Sequence, residues 1–160
     1  MVLMGPGGLA ANVFSPDPSE GGKRMFEFMM SPSREGMKTW VSTMVANTAV
    51  VDDQLIDERM DNALRPGAIE SAFAIFGSLG KHPDPVPMYA RLDKIKTPTL
   101  VMWGRDDRML PYEGAAFGYR RLPNAELHVF SGCGHWAQVE RKEEFERLVT
   151  EFLTRKSAGA

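Results

Sequence analysis

The chain has 160 residues, 43% of them hydrophobic and 25% charged, with a formal net charge of −2, enough for one domain with a buried core. This balance leaves no electrostatic footprint for nucleic acid or an anionic membrane, and no apolar run approaches the roughly 20 residues that span a bilayer. The opening Met1-Val2-Leu3-Met4 lacks the flank and length of a secretory signal, and the single cysteine, Cys133, allows no internal disulfide, so a reducing, cytoplasmic setting is expected.

In chain order, Met1 to Met4 reads as a very short buried strand cut off at its start. Gly5 to Asn12 is a glycine-rich turn, and Val13 to Ser19, with Pro16 and Pro18, is a loop. From about Ser19 to Leu79 the period is helical. Met25, Phe28 and Met29 fall on one face, as do Met37, Trp40, Val41, Met44 and Val45, and then Leu55, Ile56, Met60, Ala63 and Leu64. Ser33 and Asp52 are placed to cap two of these helices. Ala68 to Leu79 is a further helix. Eleven Met and nine Phe are most simply core filling; a cap over an apolar ligand is the sharper alternative.

Gly80 to Pro87 carries three prolines and marks a boundary. Beyond it Pro98 to Trp103 is a continuous apolar run, as in a buried parallel strand. Glu113 to Leu122 reads as an amphipathic helix, Ala125 to Phe130 as a strand, and Glu140 to Leu153 as a closing helix, with a frayed tail from Lys156. A helical block followed by β-α-β-α predicts a parallel sheet with a helical cap. The expected division is 1–12, the end of a core strand and its turn; 13–87, a helical lid; and 88–160, the last part of an α/β core. So few strands make a poor sheet with an open edge, which predicts a chain truncated at its N-terminus.

Two segments can carry chemistry. Asp107 lies in Gly104-x-x-Asp107-x-x-x-Pro111, just past the apolar strand; His135 lies in Gly132-Cys133-Gly134-His135-Trp136, just past the next one. Functional side chains of open α/β sheets gather at the carboxyl ends of strands. A carboxylate there orients an imidazole and stabilises its cation, and Asp-before-His is the chain order of an α/β-hydrolase triad. Asp106 competes as a solvated turn acid, and His82 and His128 lack such context and are expected to be exposed. The nucleophile elbow G-x-S-x-G is missing: Phe76-Gly77-Ser78-Leu79-Gly80 has Phe at the first Gly and lies in a predicted helix. Cys133 sits awkwardly close to His135 for a nucleophile and reads as a packed small residue. Gly5-Pro6-Gly7-Gly8 lacks the order of a phosphate loop, and no metal-ligand spacing occurs. Arg59 has acidic neighbours on its helix, and spacing alone does not separate it from Arg34 or Arg65.

The segments Val2-Leu3-Met4-Gly5-Pro6-Gly7-Gly8-Leu9, Phe14 to Gly21, Trp103 to Pro111 and Leu127 to Glu140 resemble the meta-cleavage-product hydrolases. These α/β-hydrolases cleave a carbon–carbon bond in 2-hydroxy-6-oxo-2,4-dienoates made during aromatic or steroid degradation. The resemblance covers essentially the whole chain and implies its C-terminal portion. It implies Asp107 and His135 as catalytic acid and base, Arg59 on the substrate carboxylate, Trp136 beside it, and Met109 and Leu110 on the apolar subsite. It also implies a small-molecule substrate, no cofactor, no metal and a homo-oligomer when intact. The alternatives are an esterase or dehalogenase using the same Asp and His, or a non-catalytic fragment.

Overall fold

The computed structural model describes residues 1–9, 19–79 and 88–157. The loop expected at 13–18, the proline-rich boundary at 80–87, His82 and the last three residues lie outside them.

Three parallel strands form one sheet in the order β1 (Val2–Met4), β2 (Thr99–Gly104), β3 (Ala125–Phe130). Val2 aligns with Leu100, and Thr99 to Gly104 align with Ala125 to Phe130. Every residue of β2 is buried, because helices cover both of its faces. Val101 and Trp103 point to a cluster with Leu9, Ala115 and Leu122 beside α5 (Glu113–Tyr119), which links β2 to β3. Leu100 and Met102 point the other way, to Phe130, Cys133 and Phe152. That alternation is the two-residue period of a strand, and the apolar run Leu100 to Trp103 is what burial on both faces favours.

Among the described residues, four α-helices lie between β1 and β2: α1 (Glu20–Met30), α2 (Arg34–Thr43), α3 (Asp53–Ala63) and α4 (Ala68–Leu79). Ser19, Ser33 and Asp52 accept the amides of Gly22, Gly36 and Leu55, satisfying donors left open at a helix start. Met25, Phe28, Met29, Met37, Val41 and Ile56 pack into one apolar cluster that also takes in Trp136. Each buried side chain of this size stabilises by about 1.5–3 kcal/mol.

Several details depart from the periodic reading. Leu64 follows the last turn of α3 and is exposed, not on the apolar stripe. The α5 helix stops at Tyr119, short of Leu122. The closing helix is two helices, α6 (Ala137–Glu140) and α7 (Lys142–Ser157), broken at Arg141. α7 runs past Lys156, where fraying was expected. His128 is half-buried against Phe130, with Nε2 3.4 Å from Glu144. Short 3₁₀ turns at Thr48–Val50 and Met88–Lys94 carry no periodic signal. No helix among the described residues is long and apolar enough to cross a membrane.

Candidate active site

The carboxyl ends of β2 and β3 are neighbours, so the loops that follow them meet. Nδ1 of His135 lies 2.8 Å from Oδ2 of Asp107. The Asp107 side chain is fully shielded from solvent and that of His135 is 16% exposed. Oδ1 of Asp107 accepts the amides of Met109 and Leu110, each at 2.8 Å. One oxygen therefore shapes the acid's own loop while the other orients the imidazole. An ionised carboxylate only accepts, so this geometry puts the proton on Nδ1 and leaves Nε2 as the basic atom. Asp106 is instead exposed and pairs with Arg105 at 3.4 Å.

The two loops are stitched together through the backbone. Arg105 donates to the Phe130 carbonyl and Asp106 to that of Cys133. A Cβ on Gly104 would lie 1.9 Å from the Gly134 carbonyl oxygen, so only glycine permits this approach. Gly5, with φ of +47°, ends β1 against the pair itself: a Cβ there would meet His135 Nδ1 and Cε1 at 3.0 Å. The Trp103 indole donates to the Leu110 carbonyl at 2.7 Å, anchoring the far end of the acid loop in the core.

Helices α1 and α2 hold the same loops from above. Ser19 donates to the Met109 carbonyl at 2.7 Å and Gly21 to that of Arg108. His135 and Trp136 both donate their amides to the Met44 carbonyl. Glu140, which the sequence reading passed over, accepts the amides of Gly134 (2.7 Å), Ala46 (2.7 Å) and Asn47 (3.0 Å). The Cys133 thiol points at the same carboxylate at 3.8 Å. Burial, reinforced by the negative charge of Glu140, pushes that thiol up to about 12, so it stays protonated and is a poor nucleophile.

Arg59 and Trp136 come together, with the guanidinium 4.6 Å from the indole centroid. They line a cavity of about 300 Å³ with Met37, Trp40, Val41 and Met44. Arg34, which spacing did not separate from Arg59, is occupied by Asp53 (2.8 Å) and Asp57 (2.9 Å). Arg59 has no carboxylate partner among the described residues. Met109 and Leu110 do not line this cavity. Leu110 is buried in the sheet cluster, and Met109 packs against Gly21 between the sheet and the helices. The Asp107–His135 pair and the cation–indole pair are joined through the adjacent residues His135 and Trp136.

A family profile described as the alpha/beta hydrolase fold matches residues 69–142. The 2-hydroxy-6-oxo-6-phenylhexa-2,4-dienoate hydrolase of Burkholderia cepacia is 38% identical over 158 residues, 96% of this chain and 53% of that protein. A 2-hydroxy-6-oxononadienedioate/2-hydroxy-6-oxononatrienedioate hydrolase of Burkholderia vietnamiensis is 39% identical, across 97% of this chain and 54% of that protein. Among solved structures, a meta-cleavage product hydrolase from Pseudomonas fluorescens IP01, complexed with acetates, superposes with a TM-score of 0.80 at 29% identity, covering 98% of this chain and 56% of that one. The chain spans about half the length of the curated relatives it matches.

Proposed function

We propose that the chain belongs to the α/β-hydrolase superfamily and carries the acid, the base and the carboxylate-binding arginine of a carbon–carbon hydrolase, because an alpha/beta hydrolase profile matches residues 69–142 and the matched relatives are 2-hydroxy-6-oxo-dienoate hydrolases. The substrate class is a 2-hydroxy-6-oxo-2,4-dienoate from aromatic or steroid ring cleavage. The observation that supports this most is the shielded Asp107 holding His135 at 2.8 Å, one residue from a tryptophan on which the Arg59 guanidinium rests.

In this reading residues 13–87 act as the lid. The dienolate enters with its carboxylate on Arg59, whose planar fork suits two oxygens. Nε2 of His135 shuttles a proton to carbon, giving the keto tautomer. A nucleophilic serine with its oxyanion hole then attacks the distal carbonyl, and addition of water across the broken bond yields a 2-hydroxydienoate and a carboxylic acid. The 160 residues contain no G-x-S-x-G elbow. The chain by itself is therefore expected to bind and tautomerise substrate, with no more than trace fission. Arg59, without a carboxylate partner among the described residues, favours this class over a simple ester or haloalkane, which offers no carboxylate to hold.

The test is titration of the full chain with the coloured dienoate, read by difference absorbance. Binding is expected, and Arg59→Gln should weaken it by about tenfold or more, the loss of one charge-assisted contact. Absence of binding, or equal affinity in the variant, would contradict the proposal.

A further inference from the structure

The segment 42–47, where α2 ends, is gripped from both sides of the acid–base pair. Arg108, next to Asp107, donates through Nη2 to the carbonyls of Ser42 and Val45. Glu140 takes the amides of Ala46 and Asn47 on Oε1 and that of Gly134, next to His135, on Oε2. Between these two anchors the Met44 carbonyl accepts the His135 and Trp136 amides. Carbonyls at a helix end lack partners within the helix and attract a cation; amides beyond the end attract an anion. The two side chains supply one of each. Charge-assisted bonds of this kind are the strong, directional ones.

We infer that Arg108 and Glu140 are positioning residues, which fix the separation of Asp107 and His135 by fastening the acid's loop and the base's turn to one strut, the end of α2. The inference rests on reading that pair as acid and base. Neither residue lines the Arg59 cavity; the bonds named above hold them to backbone groups of the α2 end and the base turn. The break in the helix at Arg141 has its account here: Glu140 turns back to the 134 and 46–47 amides instead of lying along a continuous helix.

The test is the exchange of the His135 Nδ1 proton, followed by proton NMR in the full 160-residue chain. It needs no turnover, so it stands apart from the fate of the catalytic reading. Glu140→Gln and Arg108→Gln are each expected to speed that exchange by about tenfold or more, while the amide signals of β2 and α7 stay in place. The double variant should resemble the worse single one, since both act through one strut. A folded variant that keeps the parent's Nδ1 exchange overturns the role of the residue it replaces. Should a variant not fold, amide exchange in the parent decides. Rates for Ala46, Asn47 and Gly134 within about threefold of one another support a single latch, and any wider spread overturns it.

Discussion

The end of α2 and the helix α4 make opposite use of their residues. α4, Ala-Ile-Glu-Ser-Ala-Phe-Ala-Ile-Phe-Gly-Ser-Leu, is strongly apolar, yet Phe73 and Ile75 are exposed, Ile75 at 60%. Residues 42–47 are less apolar and are tied by Arg108, Glu140 and the base turn. Apolar composition alone therefore does not say where this molecule is rigid. Burial area stabilises without direction, whereas hydrogen bonds to fixed amides and carbonyls hold atoms in place, and here they surround the Asp107–His135 pair.

The largest effect is expected where backbone meets backbone. Gly104→Ala would push a methyl into the Gly134 and Cys133 carbonyls, which cannot retreat without separating the two loops. A loss of about 3 kcal/mol or more in urea unfolding is expected, and a near-neutral result would break the comparison at its firmest point. Cys133 gives a smaller, pH-dependent effect. Its folded-state value is raised to about 12 from 9.0, so the unfolded chain ionises first. The stability this contributes is present below pH 9 and is lost as pH rises from there through about 12. Maleimide should label the native thiol far more slowly than the unfolded one at mildly alkaline pH, since about three pH units separate their thiolate fractions. The smallest effect belongs to α4: Ile75→Ser should change unfolding free energy by less than about 0.5 kcal/mol. A larger loss would show that this helix face is covered.

Element types were legible wherever one period dominated. The stripes of α1 and α2, the caps Ser33 and Asp52 and the apolar run of β2 are local properties of the chain. The break at Arg141 was not legible, because it depends on Glu140 reaching amides almost a hundred positions away. Leu64 fits the helical stripe by spacing, but α3 ends before it. At the site, Asp107 and His135 could be singled out because each follows a predicted strand, while their meeting depends on β2 and β3 being neighbours. Arg59 was indistinguishable from Arg34 until Asp53 and Asp57 were seen to occupy the latter. Arg108 and Glu140 carried no signal, since a charged residue in a loop or near a helix start is ordinary in any soluble sequence.

The most direct measurement is the decay of 2-hydroxy-6-oxo-6-phenylhexa-2,4-dienoate absorbance in the presence of the purified chain and of its His135→Ala variant. The account predicts ketonisation faster than in buffer, lost in His135→Ala, with no more than trace fission product. Equal rates with and without His135, or rapid fission by the 160-residue chain, would contradict it.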